Sequence, residues 1–432
     1  MKRYLYNWLL RWKCRDGRKP LIVNGARQVG KTYLLREFGE KEYRKLAFFS
    51  LDRDPMARKV FESSGSVADI LLSLSAISSV DITPADTLIV LDEVQDCPKA
   101  LESLKYFCED APEYHVVVAG SLLGLSLHDG VSYPVGKVDE VRLYPMSFLE
   151  FLDAMGKSRM AEVLESANWT VINMIAEDLE KMLRQYYYVG GMPAAVLAFV
   201  EQKGLKVVRD VQMQIISGYR RDFSKHAPAR EVPRINMVWD SIPAQLAKEN
   251  KKFIYGAVRK SSRAADFEMA IQWLIDAGLA YRVMRTNSVQ MPLKFYEDMN
   301  AFKLFMLDVG LMGAMVEAPA AAMLVDNRIF SEYKGAFTEL YVFTQLTVQN
   351  VPIYYHSVDN STIELDFVIQ TNGRVVPIEV KAETNVKAKS MTTFLGKHPE
   401  LTGVRFSMLP YKRQDRMVNV PLFACMEISK AL

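Results

Sequence analysis

The sequence predicts an α/β chain whose first part carries a parallel sheet, with a helical middle and a second α/β segment after it. Three observations lead there. Short apolar runs alternate with amphipathic stretches from Leu21 to Met155. One such run, LIVNG, leads into the glycine-bounded loop Gly25 to Thr32, and a second, TLIVLDEVQ (Thr87 to Gln95), ends in paired acids. Strands that alternate with helices use the helices as crossovers between parallel neighbours.

At 432 residues the chain is long enough for two or three domains. Half of it is hydrophobic and 24% charged, the composition of a globular protein. A net charge of +3 gives no bulk electrostatic argument for nucleic acid or membrane, although a local basic patch stays open. Cys14, Cys97, Cys108 and Cys425 are scattered and form no CxxC pair, so neither a zinc site nor a disulfide framework is indicated, and free thiols fit a cytoplasmic location. The five histidines, His115, His128, His226, His356 and His398, lack paired metal-ligand spacing. No apolar stretch is long enough to cross a bilayer, so no membrane partner is expected.

Taken in order, MKRYLYNWLLRWKCRDGRKP has too broken an apolar core for a signal peptide. Leu5, Trp8, Leu9 and Trp12 share one helical face, which reads as a docking helix ahead of the first strand. The strand LIVNG, the helix TYLLREFGEK, the strand KLAFFSLD and a helical region up to Thr83-Pro84 follow. The third strand is TLIVLDEVQ, a helix follows Pro98, and YHVVVAGS (Tyr114 to Ser121) is the fourth strand. Val138 to Met155 reads as a fifth strand entering a helix. From these patterns we expect a first unit over 1–157, a helical lid or linker over 158–231, a middle unit over 232–290 and a C-terminal unit over 291–432. The middle unit, VRKSSRAADFEMAIQWLIDAGLAYRVMR, has the helix-turn-helix-strand rhythm of a winged helix.

Gly25-Ala26-Arg27-Gln28-Val29-Gly30-Lys31-Thr32 fits the phosphate-loop pattern GxxxxGK[ST] at each fixed position. Such a loop turns successive N–H groups and a helix N-terminus toward a phosphate chain. Lys31 is placed to reach the β- and γ-phosphates of ATP, and the Thr32 hydroxyl to hold Mg²⁺. A strand-to-helix turn ending by accident in Lys-Thr is the bland alternative, and the flanking strand and helix argue against it. Asp92 at the end of its strand is placed to hold Mg²⁺, and Glu93 to orient or activate the attacking water. Ser121 sits at the tip of a buried strand, where it contacts the γ-phosphate, positions the water or satisfies a turn.

In the C-terminal unit, Asp366 on one strand and Glu379 with Lys381 on the next flank the Asn372-Gly373 turn. Two carboxylates can hold a divalent metal, and a lysine beside them can stabilise a phosphate or a hydroxide. A hairpin with a charged, solvated face is the alternative. The helix-turn-helix segment carries an acidic, apolar second helix, DFEMAIQWLIDAG, so packing competes there with direct DNA reading.

GARQVGKT, LIVLDEVQ, VVVAGS, LYPMSFLEF and GGMP, followed by KLFMLDVGL, KGAFTEL, ELDFVI and PIEVKA, resemble the AAA+-type ATPases that end in a DUF4143 domain. The resemblance spans nearly the whole chain. It implies an ASCE-type sheet with the Ser121 strand between the phosphate-loop strand and the Asp92 strand, and Ser121 at the sensor position. The Asp366, Glu379, Lys381 set resembles the D…ExK core of restriction-endonuclease-like folds, with Glu339 as the accessory acid. Relatives commonly carry Gly-Arg where this chain has Gly136-Lys137, and lysine does not copy an arginine finger's planar fork. Arg142, Arg184, Arg220 and Arg221 are alternatives among which the sequence does not choose. Three functions are thus expected to compete: an ATPase coupled to a domain that binds or acts on DNA or RNA, a slow nucleotide-switched binding module, and an ATP-regulated metal-dependent nuclease. A trans-acting finger would also require a homo-oligomer.

Overall fold

The computed structural model describes residues 1–63, 65–121, 133–248, 251–324, 331–358, 363–382 and 389–432; His128 lies outside them. The chain forms two compact units, one of Lys2–Tyr144 with Asp276–Leu279, the other of Met1, Pro145–Ile275 and Ala280–Leu432.

The first unit is built on β1 (Leu21–Asn24), β2 (Lys45–Ser50), β3 (Thr87–Asp92), β4 (His115–Gly120) and β5 (Asp139–Arg142). Their order is β2-β3-β4-β1-β5, and each neighbouring pair is parallel. The Ser121 strand therefore lies between the other two, as the family resemblance implies. β3 and β4 are buried along their whole length, which a parallel strand covered on both faces requires of its sequence. Ile22, Ile89, Leu91, Val116 and Val118 form one core with the helices Pro55–Ser63, Val67–Ser78 and Pro98–Asp110. The alternate residues Leu21, Val23, Leu88 and Val90 are equally buried and face the other way by the two-residue period of a strand. The N-terminal helix, Leu5–Lys13, buries Leu9 and Trp12, and its Tyr6 meets Phe38 of the Lys31–Glu42 helix edge-on at 5.6 Å. Because all five strands run the same way, Gly25, Asp92 and Ser121 all lie at C-terminal strand ends, where α/β sheets bind ligands.

The second unit begins with helices between Phe148 and Leu246 and continues into a mixed sheet. Its strands are β6 (Ala280–Thr286), β7 (Glu297–Met306), β8 (Ile353–Ser357), β9 (Glu364–Thr371), β10 (Arg374–Val380), β11 (Gly403–Ser407), β12 (Lys412–Gln414) and β13 (Met417–Pro421). They are ordered β12-β13-β11-β10-β9-β8-β6-β7. The strand that the sequence reading gave to a wing, β6, pairs with β7 on one side and in parallel with β8 on the other. A two-stranded wing would leave an edge of β6 open; β8 covers it.

Three of the segments that carry the family resemblance, LYPMSFLEF, GGMP and KLFMLDVGL, meet in this unit. Ser147 caps the Phe148–Ala154 helix in a reciprocal capping box with Glu150. Met146 donates its N–H to Gly191 at 2.7 Å and accepts from the Tyr186 hydroxyl at 2.6 Å. A Cβ at Gly191 would run into the Met146 carbonyl, so the GGMP segment needs glycine there. Asp308, wholly buried, accepts from the N–H groups of Gly191 at 2.6 Å and Leu311 at 2.9 Å. Burial pushes its carboxyl up to about 6 against the pull of those N–H groups. An acid raised in the folded state lends stability that is full below its unfolded value, near 4, and is lost as pH rises through about 6. We predict that the stability advantage of wild type over Asp308→Asn falls by about 2 kcal/mol between pH 4 and 7 in denaturant titrations; a pH-independent difference would contradict this.

Candidate nucleotide site and C-terminal charge cluster

The loop from Gly25 to Thr32 leaves β1 and enters the Lys31–Glu42 helix. A Cβ at Gly25 would strike the Leu143 carbonyl, and Gly30 has φ +95° as the residue capping the helix. Both positions favour glycine for that reason. Gln28 also sits in left-handed backbone, at φ +66°, and the helix that follows is long enough to present its N-terminal amides and dipole to an anion.

Lys31 is only 6% exposed. Its Nζ donates to the carbonyls of Gly25 at 2.8 Å and Ala26 at 2.9 Å. Burial pulls its ammonium down to about 8, the charges of Glu93 and Asp92 push it up, and Arg27 pulls it further down. The Thr32 hydroxyl donates to Asp92 Oδ2 at 2.7 Å, so the first turn of the helix and the end of β3 are joined directly. Burial pushes the Asp92 carboxyl up, while the Thr32 hydroxyl and the Glu93 N–H pull it down. A hydroxyl and a carboxylate at this distance form a hard oxygen pair of the kind Mg²⁺ prefers.

Glu93 occupies left-handed backbone at φ +52°, a cost of about 1 kcal/mol that local structure has to offset. Glu93 Oε2 accepts from Gln95 Nε2 at 2.7 Å and from the Ser121 hydroxyl at 3.3 Å. Ser121 is thus tied to the acid expected to handle water. Gln95, two residues beyond Glu93, was legible as part of DEVQ but carried no separate signal. Sequence reasoning missed Arg3, 5% exposed, whose guanidinium donates to the Val29 carbonyl at 2.7 Å and the Tyr144 carbonyl at 2.6 Å. Lys137, at the finger position of relatives, pairs with Glu109 at 2.9 Å. Arg184 pairs with Glu180 and Arg220 with Asp240, while Arg142 and Arg221 are exposed.

In the second unit, Asp366 on β9 accepts the Val380 N–H at 2.7 Å, and Glu379 on β10 pairs with Lys381 at 2.9 Å. Burial raises the Glu379 carboxyl, Lys381 lowers it and Asp366 raises it again. Burial pulls the Lys381 ammonium down, but Glu379 and Asp366 leave it raised overall. Glu339, on the Ser331–Thr347 helix, pairs with Lys251. Lys303 on β7 is wholly buried, 3.0 Å from Glu364, 4.0 Å from Glu339 and over the Tyr355 ring. Burial pulls Lys251 down to about 8 against the charge of Asp366, so the two groups lie in one field. Glu339 Oε2 and Glu379 Oε2 are buried without a hydrogen-bond partner among the described residues. Among the described residues no group of three or more His, Cys, Asp or Glu is placed to hold a metal ion. The lysines Lys251 and Lys303 escaped the sequence reading, although Lys303 in the apolar run AFKLFML is a buried charge that needs a partner.

Residues 17–152 match the family model described as an AAA domain, residues 180–322 that of a domain of unknown function (DUF8612), and residues 334–424 that of a domain of unknown function (DUF4143). No curated protein matches the chain. The ORC1 protein of Aeropyrum pernix in complex with DNA is 13% identical, over 74% of this chain and 92% of that one, with a TM-score of 0.27. AMPPCP-bound DnaA of Aquifex aeolicus is 16% identical, over 63% of this chain and 88% of that one, with a TM-score of 0.29. Superpositions this loose carry no argument; the fold rests on the strand order and the family models.

A buried lysine that titrates near 8 must be charged to hold a polyphosphate. Affinity for ATP is therefore expected to be level from pH 6.5 to 7.5 and to fall about tenfold per unit well above pH 8. Fluorescence titration across that range checks it, and a flat profile to pH 9.5 would contradict it.

Proposed function

We propose, on the premise that this chain carries an AAA domain at 17–152 and a DUF4143 domain at 334–424, that it binds Mg·ATP at Gly25 to Thr32 and hydrolyses it slowly, using nucleotide state to control its C-terminal domain. The Thr32–Asp92 hydrogen bond beside the buried Lys31 carries this reading. Lys31 exchanges the Gly25 and Ala26 carbonyls for β- and γ-phosphate oxygens, while the loop amides and the helix N-terminus hold the chain's charge. Thr32 and Asp92 would hold Mg²⁺, which supplies charge neutralisation at the phosphates. Glu93, steadied by Gln95 and Ser121, orients the attacking water and takes its proton. Lys137, occupied by Glu109, supports slow turnover, and an arginine from a second copy would make the active form a homo-oligomer.

The finer division at residues 157, 231 and 290 belongs to this reading, as does the restriction-endonuclease-like character of the last segment. Four unpaired cysteines support a cytoplasmic location, and among the described residues no helix is long and apolar enough to cross a membrane. We read the C-terminal domain first as a binding module for DNA or RNA, because Lys251, Lys303 and Lys381 compensate the carboxylates of its cluster. The oxygens of Glu339 and Glu379 that are buried without a hydrogen-bond partner among the described residues favour a second reading, a nuclease in which Asp366 and Glu379 take a divalent cation. Among the described residues these acids form no group of three placed to hold a metal ion, so no cleavage step is derived through them.

In a phosphate-release assay, Glu93→Gln should lose about 100-fold in kcat while keeping its affinity for ATP, and Lys31→Ala should lose binding. Release unchanged in both variants would sink the ATPase. Stimulation of the wild type by DNA or by RNA would name the partner class. For the nuclease reading, Mg²⁺- or Mn²⁺-dependent cleavage should vanish in Asp366→Ala and Lys381→Ala; no cleavage of either nucleic acid by the wild type would reject it.

A further inference from the structure

The second contact surface of the phosphate loop is its back. The carbonyl of Val29 points to Arg3 Nη1 at 2.7 Å. That carbonyl and the N–H of Gly30 belong to one planar, trans peptide unit, so they point in opposite directions. Fixing the carbonyl on Arg3 turns the Gly30 N–H away from the guanidinium, and the helix begins at the next residue, Lys31. The same guanidinium binds the Tyr144 carbonyl at 2.6 Å, one residue beyond the Leu143 carbonyl that leaves no room for a Cβ at Gly25. One buried fork thus holds both the loop and the strand extension against which the loop is wedged.

We infer that Arg3 is a positioning residue for nucleotide binding: it sets the Val29–Gly30 peptide so that the Gly30 N–H faces the phosphates, and it holds the loop against the end of β5. The inference rests on the ATP-binding reading and adds to it a residue that the loop motif does not contain. Arginine is suited to the task because two N–H groups of one rigid plane serve two carbonyls at once, which an ammonium on a flexible stem does only singly. Its buried positive charge also stands behind the loop, where it adds to the field that a polyphosphate meets.

The test uses the full chain and ATP as the probe. Arg3→Ala should raise Kd and KM for Mg·ATP about 10- to 100-fold with kcat changed by less than about threefold, and millimolar guanidinium should restore much of the affinity to the variant while leaving wild type unaffected. Arg3→Lys should fall between the two and decides the matter if Arg3→Ala does not fold. Wild-type affinity in either folded variant, or a loss that guanidinium fails to repair in Arg3→Ala, overturns the inference. If the wild type itself does not bind ATP, the nucleotide reading falls and this inference with it; binding that ignores Arg3 removes the inference alone.

Discussion

The Lys31 ammonium has been taken out of water and rests on two carbonyls of its own loop. Burying a cation this way is tolerable only if its N–H groups find acceptors and nearby acids offset the charge. The loop can supply those acceptors because Gly25 lets it close on the Leu143 carbonyl and Gly30 turns it into the helix. Asp92 and Glu93 supply the offsetting charge from the end of β3. A parallel sheet with β4 between β1 and β3 is what brings these groups to one edge. The same buried charge that the fold must accommodate is the one best matched to a phosphate chain, so stability and ligand preference are set by a single constraint.

In the second unit the arrangement is reversed. Acids dominated the sequence pattern there, and the structure adds lysines from elements far apart in the chain: Lys251 before the Ala264–Asp276 helix and Lys303 on β7. Ion pairs this buried contribute little net stability, since desolvation offsets most of the attraction. Breaking one leaves an uncompensated charge, which makes the cluster specific in its composition. A divalent cation on Asp366 and Glu379 would compete with Lys381, which pairs with Glu379. That competition bears on whether this domain cuts nucleic acid or only grips it.

Much of the nucleotide site was legible because its chemistry is local. The phosphate loop is eight consecutive residues and the Asp92-Glu93 pair closes one strand. The strand order followed from the family resemblance and agrees with the observed sheet. What stayed hidden is non-local. Arg3 lies 26 residues before Val29 in a stretch whose apolar face was read and whose cations were not. Lys251 meets Glu339 from 88 residues away, and β6 joins the C-terminal sheet through β8, which no local rhythm announces. Helix-turn-helix periodicity likewise cannot say whether the following strand ends as a wing or joins a larger sheet.

Titration calorimetry of ATP into the wild-type chain, with Mg²⁺ and then with EDTA, addresses the central claim most directly. A single saturable site per chain, weakened when Mg²⁺ is removed, is what the Lys31, Thr32 and Asp92 arrangement predicts. No saturable binding under either condition would contradict the account at its root.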